Sequence, residues 1–169
     1  MSDALKKRRS QSERREATQA SLLSSARRLF GAHGYAKTSL ENIAADCNIT
    51  VGPIYHYCKS KLGLFSAVIE QIEAEVVSEI EVREDADSMD VLSGFMNRCE
   101  DPYFRQIILI DGPALLGNRR MMEGPVNKAL RKNSAQIFGR KPDGLSMTML
   151  MAALSSAALY IAENGAGRD

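Results

Sequence analysis

The chain has few of the residues that metal centres, disulfide frameworks and nucleophilic catalysis require. It contains three cysteines and two histidines among 169 residues. Cys47, Cys58 and Cys99 form no CxxC pair, so neither a disulfide framework nor zinc-ligand spacing is indicated, and the pattern suits a reducing cytoplasm. Glycine-rich phosphate loops and a G-x-S-x-G motif are also absent. We therefore expect no metal, no cofactor and no enzymatic activity.

Long apolar runs are also scarce. The N-terminal MSDALKKRRSQSERR is charged and no apolar segment follows it, so we expect no signal peptide. Residues 145–162 carry no charge, but their many alanines and serines favour burial against protein over a membrane span. The sequence thus predicts a cytoplasmic globular protein, and its 44% hydrophobic and 25% charged content is typical of that class.

What the chain does have is a strong asymmetry of charge. Residues 1–65 contain eleven Lys and Arg against five Asp and Glu, a net charge of +6, whereas the remainder has eleven against sixteen, a net charge of −5. A basic end on an acidic body is where a polyanion would bind. A solvated basic tail is the alternative, because residues 6–9 (KKRR) alone supply four of the positive charges.

Helical periodicity runs through the chain, without the alternation of a strand. An apolar stripe that starts at Leu22 predicts a first helix from about Arg15, and Gly34 is expected to end it. Thr38 followed by Glu41 predicts a capping box at the start of a second helix.

Punctuating residues then predict two more helices. Asn48 breaks the second helix at a tight turn, and Thr50 caps a third helix whose first turn contains Gly52 and Pro53. Ser60 caps a fourth helix. The apolar stripe of that helix is Leu64, Val68, Ile72 and Val76.

The second and third helices form a helix-turn-helix, with the turn at about 47–49. Many helical proteins contain two short helices and a turn, so this pattern alone leaves DNA binding and an ordinary helix pair both open. In a DNA-binding reading, the N-terminal end of the third helix enters the major groove and small or apolar residues let the backbone approach the bases. The residues expected there are Thr50, Val51, Gly52 and Pro53.

Several neighbouring side chains could hold the DNA backbone. Tyr55 and His56 can reach phosphates or base edges, and Lys61 would meet a phosphate at the amide-rich start of the fourth helix. Thr38 offers a similar clamp at the second helix. His56 and Cys58 are two residues apart, which on a helix separates their directions by about 200°, so they cannot form a catalytic pair.

With their spacing, these residues resemble the DNA-binding domain of the tetracycline-repressor (TetR) family, from about Arg15 to Glu75. The matching pattern is Ala26-x-x-Leu29-Phe30-x-x-x-Gly34-Tyr35-x-x-Thr38-Ser39-x-x-x-Ile43-Ala44, followed by Ile49-Thr50-x-Gly52-x-Ile54-Tyr55-x-Tyr57-x-x-Ser60-Lys61-x-x-Leu64. The positions that the resemblance implies to face DNA are Thr38, Ser39, Thr50, Val51, Gly52, Pro53, Tyr55, His56 and Lys61.

The resemblance implies an all-α fold in which separate domains bind DNA and the effector. We expect a flexible basic arm at 1–14, a helix-turn-helix DNA-binding domain at 15–75 (the motif itself at about 38–57), and a helical effector-binding and dimerisation domain at 76–169. Most family members are repressors, which implies a homodimer that binds a near-palindromic double-stranded operator and is released by a small-molecule effector. The alternative is a weakly dimerising or truncated DNA-binding module without effector control.

The last hundred residues say less about chemistry. Their seven methionines suit either a deformable ligand pocket or simple core filling. Residues 101–117, DPYFRQIILIDGPALLG, resemble a segment found in one subset of the family. In that subset a further helix follows the one at 145–162, so the chain is either short or a truncated product. The candidate pocket residues are Met96, Tyr103, Phe104, Ile107 and Met121.

Overall fold

A computed structural model describes residues 11–82, 94–95, 97–129, 132 and 143–164, and every regular element in these ranges is a helix. This confirms the predicted all-α class. No helix in these ranges is long and apolar enough to cross a membrane. The helices are α1 (Gln11–Lys37), α2 (Leu40–Asp46), α3 (Val51–Cys58), α4 (Lys61–Val82), α5 (Pro102–Phe104), a π-helical segment (Arg105–Asp111), α6 (Gly112–Leu116), α7 (Asn118–Met122) and α8 (Gly144–Asn164).

The first helix is longer than the sequence predicts. It begins at Gln11, so the last residues assigned to the arm at 1–14 are helical, and residues 1–10 lie outside the described ranges. Gly34 interrupts α1 with φ 76° and ψ 163°, a conformation that residues with a Cβ atom rarely adopt. The predicted break at Gly34 is therefore confirmed.

The capping box predicted for Thr38 and Glu41 is wrong by one residue. The Ser39 hydroxyl accepts a hydrogen bond from the Asn42 N–H at 3.1 Å, and the Ser39 N–H donates to Asn42 Oδ1 at 3.1 Å. Thr38 is only 3% exposed, and its hydroxyl donates to the carbonyl of Gly34 at 2.9 Å. Thr38 therefore secures the break in α1, and Ser39 starts α2.

The turns around α3 follow the predictions more closely. Asn48 has φ 54°, which confirms the left-handed turn after α2, and Thr50 occupies the N-cap position of α3 without a side-chain cap hydrogen bond. Lys59, with φ 65°, ends α3. The Ser60 hydroxyl then accepts from the Gly63 N–H at 3.0 Å, which confirms the predicted start of α4.

Helix α4 passes through both halves of the molecule. We call α1–α3 with residues 61–70 the head, and residues 71–82 with helices α5–α8 the body. In the head, the rings of Phe30, Tyr35 and Phe65 form one cluster with centroids 5.2–5.7 Å apart. The predicted apolar stripe of α4 is buried in both halves, at Leu64, Val68, Ile72 and Val76.

Polar contacts fix the helices of the head to one another and to α4. Asp46, the last residue of α2, accepts from the Ser25 hydroxyl at 2.5 Å and from Arg28, and these two donors lower the pKa of Asp46. Arg27 of α1 donates to the Glu75 carboxylate of α4 at 2.7 and 2.9 Å. Because these groups are partly exposed, the contacts contribute orientation more than stability.

Candidate nucleic-acid interface and internal cavity

Helix α3 presents most of its side chains to solvent. Its single buried residue is Ile54, which is 0% exposed and anchors the helix in the core of the head. Val51 is partly buried beside that anchor. The exposed residues at the N-terminal end and outer face of α3 are Thr50, Gly52, Pro53, Tyr55 and His56. A short helix anchored at one point and open elsewhere can enter a DNA groove without unfolding.

The two tyrosines of α3 differ in their surroundings. The Tyr57 hydroxyl accepts from Gln19 Nε2 of α1 at 2.6 Å, so this side chain is held against the first helix. Tyr55 is 53% exposed on the outer face. Of the two, Tyr55 is therefore the side chain placed to reach a phosphate or a base.

Lys61 begins α4 beside the reading surface. Its Nζ lies 4.0 Å from the centroid of the Tyr35 ring, a cation–π contact that holds the ammonium near the N-terminus of the helix. Burial raises the pKa of the Tyr35 hydroxyl, so the ring stays neutral under this cation. Among the nine positions predicted to face DNA, Thr38 differs from the rest, because its side chain is buried, whereas Ser39 is partly exposed.

Cys58 lies beneath α3 rather than on its outer face. It packs against the core, and burial raises the pKa of its thiol to about 11, so the thiol is protonated at neutral pH. Burial raises the pKa of Cys99 to about 11 as well. Within the described ranges, no three His, Cys, Asp or Glu side chains gather as a metal site would require.

The body contains a cavity of about 450 Å³ between α4, the segment 104–127 and α8. Its walls are mainly apolar, and one ionisable side chain, Glu73, is among them. Glu73 is 4% exposed, and Arg120 donates to its two oxygens at 3.1 and 3.3 Å. The apolar side chains that line the cavity include Ile72, Val76, Phe95, Phe104, Met121 and Met122.

The predicted pocket residues occupy different places. Phe104 and Met121 line the cavity. Ile107 is fully buried in the core, and Tyr103 packs on α1, where a Cβ atom added to Gly31 would lie 2.6 Å from the Tyr103 Cβ. Met96 lies outside the described residues.

Two buried polar residues of the cavity wall were absent from the predicted set. Glu73 follows Ile69 by four positions and precedes Val76 by three, so its place on the buried face of α4 was readable from the spacing. Asn127 is 9% exposed, and its Nδ2 donates to the Met121 carbonyl at 3.0 Å. No local pattern marks Asn127, because its burial depends on the packing of distant helices.

The π-helical segment connects the cavity with the head. Ile108 and Leu109 line the cavity, and at the end of the same segment Asp111 Oδ2 accepts from the backbone N–H of Tyr35 at 2.7 Å. Single π turns inside helices are rare and frequently occur at functional sites. Pro113 has no N–H to donate to the Leu109 carbonyl four residues earlier, and its ring crowds that carbonyl, which gives a local reason for the departure from α-helical hydrogen bonding.

The fold and the exposed α3 define a helix-turn-helix protein with a separate cavity-bearing body. The family model described as "Bacterial regulatory proteins, tetR family" matches residues 22–68, which span α2, α3 and the parts of α1 and α4 that pack on them. A TetR-family transcriptional regulator from Pectobacterium atrosepticum is 30% identical, with a TM-score of 0.63, over 93% of this chain and 87% of that chain. The chain belongs to the TetR family, and it is a transcriptional regulator with an N-terminal DNA-binding helix-turn-helix.

Two more distant structures share the fold. A transcriptional regulator of the TerR/AcrR family from Aquifex aeolicus is 21% identical, with a TM-score of 0.70, over 89% of this chain and 90% of that one. RolR, solved in complex with resorcinol, is 21% identical, with a TM-score of 0.61, over 91% and 83%. No curated protein matches the chain by sequence.

Proposed function

We propose that the protein is a dimeric repressor that leaves a near-palindromic operator when a small molecule fills the cavity of the body. The observation that carries this proposal is the π-helical segment, which contributes Ile108 and Leu109 to the cavity wall and Asp111 to the head. A ligand that displaces this segment changes a contact made by the backbone of Tyr35. The π-helical segment therefore belongs to the cavity wall and also contacts the head.

The proposed DNA surface is α3 with the starts of α2 and α4. Residues 50–53 would enter the major groove, while Ser39, Tyr55, His56 and Lys61 would hold the backbone and base edges. Exposure supports this assignment for Tyr55 and His56, and the cation of Lys61 is already placed at a helix N-terminus. Because the Thr38 hydroxyl is buried and donates within the chain, we assign its side chain a structural role only.

Dimerisation is supported by helix α8. Leu145, Met149 and Tyr160 are 71%, 65% and 68% exposed in the single chain. Large exposed apolar side chains along one helix are typical of a surface that another protein covers. A second copy related by two-fold symmetry would bury them, and it would present two α3 helices to successive major grooves of one DNA face.

The proposed release mechanism is a shift between two populations of the dimer. An effector that prefers the conformation with mismatched α3 spacing lowers operator affinity by its differential affinity for the two states.

The boundary that we propose between the domains, near residue 75, falls inside α4. Since Ile72 and Glu73 of this helix line the cavity, the same helix belongs to both domains.

The proposal is tested by titrating the purified protein against the DNA upstream of its own gene, beside a scrambled duplex, at two salt concentrations. We expect tight binding to the native duplex alone, with two protomers per site. In Tyr55→Ala, affinity should fall about fivefold or more, since a direct contact to DNA is worth about 1–3 kcal/mol. Arg119→Ala is the control, because Arg119 is 88% exposed in the body.

The melting temperature of each variant separates lost contacts from lost folding. Equal, strongly salt-dependent binding to both duplexes would contradict the repressor proposal and favour a DNA-binding module held by charge alone. Unchanged affinity in Tyr55→Ala would remove this residue from the surface.

A further inference from the structure

The charge balance of the cavity limits what can occupy it. Glu73 is the ionisable residue of its wall within the described residues, and both carboxylate oxygens face Arg120 at 3.1 and 3.3 Å. Hydrogen bonding to Glu73 raises the pKa of the Arg120 guanidinium, and the salt bridge places this cation directly against the Glu73 carboxylate. Burial of a charged ligand beside apolar walls, with no free partner, is strongly unfavourable.

Arg120 reaches Glu73 from outside the cavity. Its side chain is 38% exposed, whereas that of Glu73 is 4% exposed, and Arg120 lines a second, shallower surface pocket with Glu70. A Cβ atom on Gly124 would lie 2.5 Å from Glu73 Oε1, so the glycine leaves room for the carboxylate in this pair. Arg120 thus offsets the charge of Glu73 from the solvent side of the carboxylate.

One buried polar atom in the wall has no partner among the residues that the structure describes. Asn127 lines the cavity, its Nδ2 donates to the Met121 carbonyl, and its buried Oδ1 has no hydrogen-bond partner within those residues. Exchanging the two amide atoms would set Oδ1 against the Met121 carbonyl oxygen, so the contact fixes their assignment. A buried acceptor without a donor is costly, and a ligand N–H or O–H would remove that cost.

We propose that the effector is an uncharged, mostly apolar small molecule with one hydrogen-bond donor, selected by the neutralised Glu73–Arg120 pair and by Asn127. This rests on the proposed function, because it names the ligand class for the same cavity. A volume of about 450 Å³ lies within the range of small-molecule sites.

Probes of one shape and different charge test the first half of the proposal. They are 4-tert-butylbenzyl alcohol, the corresponding benzylammonium and the corresponding benzoate, with affinity measured by calorimetry. We expect the alcohol to bind the wild-type protein at least about tenfold more tightly than either ion, because neither ion finds a free partner of opposite charge. Preference for either ion, or no binding of the alcohol up to its solubility limit, would overturn the proposal.

Two variants examine the role of the ion pair. In Arg120→Gln, Glu73 loses its partner, so the ammonium should gain about tenfold relative to the alcohol. In Glu73→Gln/Arg120→Gln, which removes both charges, the preference for the alcohol should return. An unchanged ranking in Arg120→Gln would contradict the assignment, provided that its melting temperature shows a folded protein. If Arg120→Gln fails to fold, the relative affinities of the three probes in the wild-type protein and in the double variant still test the proposal.

A methyl ether of the same alcohol tests the donor. The wild-type protein should prefer the alcohol by about tenfold, and Asn127→Leu should reduce this preference to less than about twofold, since the acceptor is gone. If Asn127→Leu still prefers the alcohol by about tenfold, another group accepts the hydrogen bond from the ligand, and the role proposed for Asn127 is wrong. DNA titration of the same samples separates the two proposals: operator binding without the expected probe ranking removes only the ligand class, whereas absence of operator binding removes the repressor.

Discussion

Helix α4 packs against different surroundings in the head and in the body. In the head, Phe30, Ile43, Ile54 and Phe65 are all 0% exposed, and the hydroxyls of the buried Ser25 and Thr38 donate to partners within the head. In the body, the continuation of α4 faces a cavity of about 450 Å³ and carries the buried Glu73. The head is therefore filled by its own side chains, whereas the body leaves room and polar groups for another molecule.

This difference fits the two tasks of a ligand-controlled regulator. Close packing keeps the reading helix α3 in one orientation, because side chains in a dense core cannot shift without strain. An incompletely filled body can adopt a second arrangement at small cost, which a ligand requires if it is to shift populations. The contact between Asp111 and Tyr35 lies at the junction of the two regions.

The largest contrast should appear on truncation of one side chain in each region. Phe65→Ala removes the centre of the aromatic cluster in the head and should lower the free energy of unfolding by about 3–5 kcal/mol. Met122→Ala, at the half-buried cavity wall, should cost less than about 2 kcal/mol, because the cavity is already partly empty. Urea unfolding followed by circular dichroism measures both values, and similar losses would contradict the contrast in packing.

A smaller contrast is expected when one methyl group is added to each region. In the head, a Cβ atom on Gly63 would lie 2.1 Å from the backbone carbonyl oxygen of Cys58, so Gly63→Ala should cost about 1–3 kcal/mol. In the body, a Cβ atom on Gly124 would lie 2.5 Å from Glu73 Oε1 and 3.2 Å from the Met121 carbonyl oxygen. Because the closest atom belongs to a side chain and not to the backbone, Gly124→Ala should cost less than Gly63→Ala, about 1 kcal/mol.

Gly52→Ala provides the control for these two glycines, since its added methyl group has only Thr50 Oγ1 nearby, at 3.9 Å. It should leave the free energy of unfolding within about 0.5 kcal/mol of wild type. If Gly124→Ala lowers the free energy of unfolding more than Gly63→Ala does, the proposed difference in packing between head and body is wrong.

Local sequence pattern was sufficient for much of the head and for the buried face of α4. The stripe Leu64, Val68, Ile72 and Val76 depends only on helical spacing, and Asn48 and Gly34 on the few residues that tolerate positive φ. The capping box failed because Thr38 and Ser39 are both good caps. The tertiary contact of the Thr38 hydroxyl with the carbonyls before it decided between them.

The cavity depended on contacts that the sequence pattern does not contain. Glu73 and Arg120 are 47 residues apart, and Asp111 and Tyr35 are 76 apart, so no local rule joins them. Phe104 and Tyr103 are adjacent, yet one lines the cavity and the other packs on Gly31. Predicting the face of so short a helix requires the positions of α1 and α4, which are set by the whole fold.

We expect cavity occupancy to reach the head through Asp111, and the effect of a bound ligand on operator affinity shows whether it does. Operator affinity is measured with and without saturating 4-tert-butylbenzyl alcohol for wild type, Asp111→Ala and Asp101→Ala. Asp101 is the matched control, because its carboxylate also accepts one backbone N–H, that of Tyr103 two residues later at 2.9 Å, and not one from α1.

We expect the alcohol to weaken operator binding at least about fivefold in wild type and Asp101→Ala, the lower end of typical allosteric coupling. In Asp111→Ala, the protein should still bind both DNA and the alcohol, but release should shrink to less than about twofold. Equal release in Asp111→Ala and wild type, or no release in any of the three proteins, would contradict the account.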